Sequence, residues 1–251
     1  MITVSIADRI ATLTLCRPPV NAISDAWLAL MDEKLDELSQ RDDWHVLLIR
    51  SDQKVFCAGA DLGEIAARIH APDGPARTLA YVASIQRVFA RIESLPQVTV
   101  AEIGGAAIGG GLELALASDL RVVADEAKVG LPEARLGLLP GGGGTQRLVH
   151  LCGRATASRL ILGAEIIDGR TAATLGVTQW SFPHDELAGR TAELATRIAE
   201  LPAAALAACK SCMTAAGGPD RGGYADEQEY TRDLLTHPET RRRVEAFLAG
   251  N

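Results

Sequence analysis

The chain has 251 residues and a formal net charge of −7 at pH 7, a size that one large α/β core with an appended unit can reach. The acidic balance argues against general nucleic-acid binding, because affinity for phosphates depends on clustered lysine and arginine. The sequence has no uninterrupted apolar window of membrane-spanning length, and its first residues lack the basic region and apolar block of a secretion signal. We therefore expect no nucleic-acid or membrane partner and a cytoplasmic location.

The chain contains five cysteines, an odd number that favours reduced thiols over a disulfide framework. Cys209 and Cys212 have redox or zinc spacing, but their alanine-rich helical stretch offers no second Cys/His pair to complete a metal site. Cys57 lies beside a glycine turn, and no histidine is placed by sequence to activate it. We expect no metal site, and we expect Cys57 to be a small buried apolar residue.

Strands and helices alternate in the first third of the predicted structure. Residues 4–6 and 10–15 have strand-like composition and predict a hairpin. Ser24 or Asp25 can cap a helix, and residues 45–49 then predict a buried strand. The apolar positions that recur at helical spacing in this helix are Trp27, Leu28, Met31, Leu35 and Leu38.

Pro72, Gly74 and Pro75 predict a loop within helical surroundings. The alternation of strands and helices repeats after this loop. Strands are predicted over residues 98–103 and 120–124, with a glycine-rich turn and a helix over 112–117 between them.

Four consecutive glycines, residues 141–144, precede Thr145, which can cap a short helix. The four glycines could cradle a phosphate, although the Lys-Ser/Thr that follows a P-loop is absent. From about Asp185 onward the sequence predicts helices, with Pro202 starting one and Pro238 starting another.

Two glutamates lie in glycine-punctuated segments, Glu113 after residues 109–111 and Glu133 after Pro132. A triple glycine running into an apolar stretch predicts a loop entering a helix, and the first N–H groups of a helix have no partner within it. Such a helix start stabilises developing negative charge, and a carboxylate three residues into the helix can lie near the same point. A second carboxylate could face it across a cleft. The pairing indicates an enzyme that moves a proton and a water on an activated acyl group.

Four sequence blocks stand in order along most of the chain: Arg17-Pro18 with Asn21-Ala22, residues 56–62, residues 105–115 with Ser118-Asp119, and residues 130–133 with 136–148. Together they resemble the crotonase superfamily, the enoyl-CoA hydratases and isomerases. The resemblance implies an α/β, ClpP/crotonase-like spiral of repeated ββα units over residues 1–195. It also implies a C-terminal helical trimerisation region over residues 196–251, and a homotrimer or a hexamer made of two trimers.

The resemblance further implies a chemistry. The backbone N–H groups of Ala60 and Gly110 would form an oxyanion hole for a thioester enolate, Glu113 would orient and deprotonate water, and Glu133 would protonate the α carbon. Hydratases of the family resemble this chain in having glutamate at both positions. The implied reaction is hydration of 2-trans-enoyl-CoA to 3-hydroxyacyl-CoA, with coenzyme A as part of the substrate and no metal or redox cofactor.

Contacts to coenzyme A are also implied by position. Lys54 matches a family position near the bound nucleotide, and Arg17 lies in the block that lines the adenine region. Ala58, Asp61 and Leu62 complete this set of candidate coenzyme A contacts.

Other reactions stay open at this level, because one fold can host many activities. A double-bond isomerase would use Glu133 alone, and a noncatalytic acyl-CoA-binding protein would retain only the fold. The chain also departs from common hydratases at Gly63, where lysine is frequent. The length of the acyl chain does not follow from the sequence.

Overall fold

The computed structural model describes residues 1–69 and 71–216, together with residues 238, 240 and 242. In this part of the chain the strands are β1 (Ile2–Ala7), β2 (Ile10–Leu15), β3 (Val46–Ser51), β4 (Val98–Ile103), β5 (Ala107–Ile108), β6 (Leu120–Ala124), β7 (Lys128–Gly130), β8 (Ile166–Asp168) and β9 (Trp180–Phe182). The α-helices are α1 (Asp25–Ser39), α2 (Leu62–Ile69), α3 (Gly74–Glu93), α4 (Gly110–Leu116), α5 (Gly144–Ile161), α6 (Gly169–Thr174), α7 (His184–Ala199) and α8 (Ala203–Ala216). A 3₁₀ helix covers Glu133–Leu136.

Six strands form a large sheet in the order β1-β2-β3-β4-β6-β9. β1 and β2 make the predicted antiparallel hairpin, and the other neighbours run parallel. Most residues of β3, β4 and β6 are buried. Strands covered on both faces need apolar residues at successive positions, which explains the apolar run of residues 46–49 in β3.

Helix α1 follows its prediction closely. The Ser24 hydroxyl accepts the N–H of Trp27 at 3.1 Å, which is the bond expected of a helix N-cap. The buried residues of the helix are the predicted ones: Trp27, Leu28, Met31, Leu35 and Leu38. The 3.6-residue repeat therefore identified the face that packs into the core.

A second, three-stranded sheet has the order β5-β7-β8, and Cys57 joins it through a parallel bridge to Ala107. The chain thus repeats one path: a strand of the large sheet, a short segment of the small sheet, and then a helix. The three short segments at Cys57, β5 and β7 lie side by side and run parallel. Residues that follow parallel strands meet at one edge of the sheet, so this repeat brings the segments after Cys57, Ile108 and Gly130 together.

Two helix starts differ from their predictions. Helix α4 begins at Gly110, two residues before the predicted start at Leu112. Thr145 does not cap α5, because Gly143 takes the N-cap position and the Glu113 carboxylate accepts the first N–H of the helix, from Gly144. Helix α5 is also not short, since it continues to Ile161 with a break in helical geometry at Gly153.

The C-terminal part of the chain is described only in part. Pro202 directly precedes α8, as predicted. Of the helix predicted to begin at Pro238, the structure describes residues 238, 240 and 242 alone, each in helical conformation. Helix α7 packs on the large sheet and runs through residue 195 to Ala199, and the boundary placed after residue 195 stays a prediction.

Within the described ranges, no helix is long and apolar enough to cross a membrane. No group of three or more His, Cys, Asp or Glu side chains is arranged there to hold a metal ion. Cys57 is buried, as predicted, and its thiol donates to the Asn21 carbonyl at 3.1 Å. Burial raises the pKa of this thiol to about 12, which keeps it protonated and unreactive.

Candidate active site

The backbone amides of Ala60 and Gly110 lie close together where the short strand segments end. A Cβ added at Gly110 would lie 3.5 Å from the Ala60 nitrogen, and one added at Gly59 would lie 3.2 Å from the Gly110 nitrogen. Neither N–H group donates a hydrogen bond to any residue that the structure describes. Two adjacent N–H groups without an acceptor form a site that can bind an oxyanion.

Ile23 holds the segment around Ala60. Its N–H donates to the Gly59 carbonyl at 2.8 Å, and its carbonyl accepts the N–H of Asp61 at 2.8 Å. The Tyr81 hydroxyl of α3 donates to the same carbonyl at 2.8 Å. Because successive amides of an extended segment point to opposite sides, this pairing turns the Ala60 N–H away from Ile23.

Glu113 lies one turn into α4 and is almost completely buried, with 3% of its surface exposed. The Gly144 N–H at the start of α5 donates to its Oε1 at 2.8 Å. Burial raises the pKa of Glu113 to about 7, the Gly144 hydrogen bond opposes that rise, and the nearby Glu133 charge adds to it. A carboxyl group with a pKa near neutrality can exchange a proton during a reaction.

Glu133 begins the 3₁₀ helix after β7 and faces Gly109, the residue before α4. A Cβ added at Gly109 would lie 2.8 Å from its Oε1. Its Oε2 is buried and has no hydrogen-bond partner in the described structure, and burial raises the pKa of this carboxyl. A buried carboxyl oxygen without a partner is costly, so it is suited to meet a substrate or water.

Two of the four glycines of residues 141–144, Gly142 and Gly144, lie against Glu113. Added Cβ atoms at Gly142 and Gly144 would lie 2.7 and 2.9 Å from its two carboxyl oxygens. The absence of side chains lets the backbone approach this carboxylate closely. The loop therefore belongs to the glutamate site, a role that its resemblance to a phosphate cradle did not predict.

Arg17 and Asp61, two of the predicted coenzyme A contacts, are paired with each other. The Arg17 Nη2 lies 2.9 Å from Asp61 Oδ2, and the guanidinium also donates to the Ala22 carbonyl. The Arg17 side chain holds the pKa of the Asp61 carboxyl below its usual range. Asp61 Oδ1 accepts the N–H groups of Gly63 and Glu64 at 3.0 and 3.3 Å, so this pair fixes the start of α2 next to Ala60.

The other predicted coenzyme A contacts, Lys54, Ala58 and Leu62, are exposed. The Ala58 N–H donates to the Val20 carbonyl at 3.0 Å, which ties the segment before Ala60 to the loop that carries Arg17. Their contact with coenzyme A stays a prediction. The sequence analysis did not find Tyr81 or the supporting part of residues 141–144, because the links of both to the site span distant parts of the chain.

Comparison with known proteins gives one consistent family. A family model described as enoyl-CoA hydratase/isomerase matches residues 5–248. The 2,3-dehydroadipyl-CoA hydratase of Escherichia coli is 32% identical over 249 residues, which cover 98% of this chain and 94% of that protein. The mitochondrial methylglutaconyl-CoA hydratase of Mus musculus is 43% identical over 159 residues. That match covers 62% of this chain, and it spans only about half, 49%, of the mouse protein.

Solved structures give the same result for the fold. The crystal structure of an enoyl-CoA hydratase from Bacillus anthracis superposes with a TM-score of 0.92 at 29% identity, covering 100% of this chain and 96% of that one. This likeness confirms the predicted α/β crotonase fold, with its two sheets and C-terminal helices. The chain belongs to the enoyl-CoA hydratase/isomerase family of the crotonase superfamily.

Proposed function

We propose that this protein is an enoyl-CoA hydratase, which adds water across the double bond of 2-trans-enoyl-CoA thioesters to give 3-hydroxyacyl-CoA. The observation that carries the proposal is the meeting of two carboxyl groups, buried Glu113 and half-buried Glu133, beside the two open amides of Ala60 and Gly110. The Escherichia coli and mouse relatives are both named as hydratases of CoA thioesters.

The thioester carbonyl oxygen accepts hydrogen bonds from the N–H groups of Ala60 and Gly110. Addition of a nucleophile to C3 moves an electron pair through C2 to this oxygen, so negative charge develops on it. Fixed amides at a buried site stabilise that charge without reorganising during the reaction. No metal or redox cofactor is needed for this step.

The two glutamates divide the proton transfers. Ionised Glu113 takes a proton from water as the water oxygen bonds to C3, and protonated Glu133 gives its proton to C2 as the enolate collapses. The substrate thus gains H and OH, and the proton returns from Glu113 to Glu133 before the next turnover. Burial favours the protonated form of both carboxyl groups, and at Glu113 the Gly144 hydrogen bond opposes burial and favours the ionised form.

An isomerase is the second candidate, because Glu133 has the only buried carboxyl oxygen without a hydrogen-bond partner among the described residues. In that reaction Glu133 would carry a proton between C2 and C4 of the acyl chain, and the Ala60 and Gly110 amides would stabilise the same enolate. Glu113 would then have no role in proton transfer. A noncatalytic acyl-CoA-binding protein would use neither carboxylate.

The test is incubation with crotonyl-CoA, monitored by loss of the absorbance of the conjugated thioester and by identification of the product. We expect 3-hydroxybutyryl-CoA from the wild-type protein and strongly reduced turnover in both Glu113→Gln and Glu133→Gln. Conversion of a 3-enoyl-CoA that depends on Glu133 alone would support the isomerase. Binding of crotonyl-CoA without any turnover would support the noncatalytic alternative.

We extend the proposal to the coenzyme A contacts, with Arg17, Lys54, Ala58, Asp61 and Leu62 at the coenzyme A end of the site. Charge reversal of the exposed Lys54 should raise KM with little change in kcat, because this residue would bind substrate and transition state equally. An unchanged KM would remove Lys54 from the set.

We also propose assembly into a homotrimer or a hexamer through the region after residue 195. Met213 on α8 is 74% exposed in the single chain, and closed symmetric assemblies can cover such apolar surface. Light scattering should give a mass of three or six chains, and deletion beyond Ala203 should give monomers or aggregates with little activity. A stable, active monomer at micromolar concentration would contradict this assembly and leave the catalytic proposal standing.

A further inference from the structure

The loop of residues 141–144 contacts Glu113 without any side chain of its own. It supplies the Gly144 N–H that donates to Glu113 Oε1 at 2.8 Å. Four successive glycines have many accessible backbone conformations, so holding one of them costs conformational entropy. Groups outside the loop must therefore fix its position.

Arg147 makes such a contact with the loop. Its Nη1 donates to the Gly142 carbonyl at 2.9 Å, and a Cβ added at Gly143 would lie 2.2 Å from the same nitrogen. Its Nε and Nη2 donate to Glu93 Oε2 at 3.1 and 2.8 Å. The Arg147 side chain is only 12% exposed. One planar guanidinium thus joins the loop to α3 through several donors in fixed geometry.

Helix α3 adds a second contact to the same loop. The Gln86 side-chain amide donates to the Gly141 carbonyl at 2.7 Å. Two consecutive loop carbonyls are therefore held by side chains from two different helices, α3 and α5. Arg147 is the charged and better buried of the two.

We propose that Arg147 is a positioning residue for Glu113, because it holds the Gly142 carbonyl and thereby aims the Gly144 N–H at the carboxylate. The inference rests on the proposed hydratase function, in which Glu113 takes the proton from water. Arg147 touches neither water nor substrate in this role and acts through the loop.

The positive charge of Arg147 and its hydrogen bond to the loop both favour the ionised form of Glu113. The charged groups facing Glu113 are Glu133 of the 3₁₀ helix and Arg147 of α5, with Glu93 of α3 behind Arg147. Burial and Glu133 raise the pKa of Glu113, whereas the Gly144 hydrogen bond and Arg147 lower it. Removing Arg147 should therefore raise this pKa and move the acid limb of the rate profile to higher pH.

The experiment compares Arg147→Gln with Arg159→Gln in crotonyl-CoA hydration across pH. Arg159 is a matched control, since it lies on the same helix and forms its own ion pair with Glu165 at 2.8 Å. We expect Arg147→Gln to lose about tenfold or more in kcat, with KM changed less than about twofold and the acid limb moved up by roughly 0.5–1 pH unit. Arg159→Gln should keep the wild-type kcat and acid limb.

Arg147→Lys separates geometry from charge and serves if Arg147→Gln fails to fold. It keeps the charge but loses the multi-donor fork, so kcat should fall while the acid limb stays near its wild-type position. Wild-type kcat in a folded Arg147→Lys, or a wild-type profile in a folded Arg147→Gln, would overturn the inference. Glu113→Gln in the same assay separates the two proposals. If the Arg147 variants behave like the wild type and Glu113→Gln is inactive, only the role of Arg147 is overturned. If Glu113→Gln is fully active, the role of Glu113 is overturned as well.

Discussion

The glycine-rich loops before α4 and α5 begin their helices in the same way, but the first N–H group of α4 has no acceptor among the described residues and that of α5 has one. In each loop the residue before the helix is a glycine with positive φ, 55° at Gly109 and 107° at Gly143. The next N–H of the first loop, on Gly110, has no acceptor among the described residues. The next N–H of the second loop, on Gly144, donates to Glu113. The carboxylate that occupies the second helix start comes from the helix that the first loop begins.

Every helix start has unpaired N–H groups that favour negative charge. This difference shows that the surrounding residues decide which negatively charged group those N–H groups bind. At Gly110 the amide stays open for charge that develops only during a reaction. At Gly144 the amide stabilises the ionised form of the Glu113 carboxyl group, whose pKa burial would otherwise raise further. Glu113 is therefore the residue that links the two loops.

Removing the linking carboxylate should give the largest effect. Glu113→Gln should reduce kcat by on the order of 10²–10⁴, the range expected for loss of a positioned acid or base. Glu133→Gln should lose a similar factor, since it removes the other proton transfer. Steady-state kinetics with crotonyl-CoA and a separate measurement of CoA-ester binding check this, with binding expected to change little. Full hydration by either variant would exclude that residue from the mechanism.

Displacing the unpaired amide of Gly110 should give the second-largest loss of turnover. A Cβ at Gly110 would lie 3.1 Å from Ile23 Cδ1 and 3.5 Å from the Ala60 nitrogen, so the branches of a valine should displace the amide pair. Gly110→Val should lose roughly 10²-fold or more in turnover, comparable with loss of one oxyanion donor.

The control for this variant is Gly189→Val. A Cβ at Gly189, within α7, meets no described heavy atom within 4 Å, so this variant should keep its activity. Circular dichroism on both proteins checks that they are folded. A folded, fully active Gly110→Val would contradict the assigned oxyanion hole.

Ionisation of Glu113, the carboxyl group that accepts the Gly144 N–H, should change the free energy of unfolding with pH. The pKa of Glu113 is raised from 4.5 to about 7, so the stability that goes with the protonated form is present below about pH 4.5 and is lost as pH rises through about 7. Glu113→Gln carries no such charge. At pH 8 its free energy of unfolding should exceed that of the wild type by about 1–3 kcal/mol, with a smaller difference at pH 5.

Urea unfolding at matched protein concentration measures this difference, because the apparent stability of the proposed oligomer would depend on concentration. The same difference at both pH values would mean that Glu113 does not titrate between them.

The smallest expected effect is in the wild-type rate profile. Since Glu113 must be ionised to accept a proton and its pKa is raised to about 7, kcat/KM should fall below neutrality, by about tenfold at pH 6 relative to its plateau. A profile that stays flat from pH 5 to 8 would separate the Glu113 ionisation from the reaction.

The sequence by itself determined the local structure and the family. The apolar repeat of α1 identified its buried face, because a side chain's place on a helix follows from spacing alone. The hairpin, the buried strands and the glycine-led start of α4 follow from similarly local preferences. The ordered glycine and glutamate blocks pointed to the family that the comparisons confirm, and they named Ala60, Gly110, Glu113 and Glu133 as one group.

Only the tertiary structure decided which groups satisfy one another. Thr145 has the residue type of a cap, yet Glu113, 31 residues away in the chain, accepts the Gly144 N–H. Arg17 is paired with Asp61 across 44 residues, and Arg147 reaches both Gly142 and Glu93. Hydrogen bonds and ion pairs depend on distances of a few ångströms between groups remote in sequence. The sheet topology sets those distances, because its parallel short strands bring the segments after Cys57, Ile108 and Gly130 to one edge.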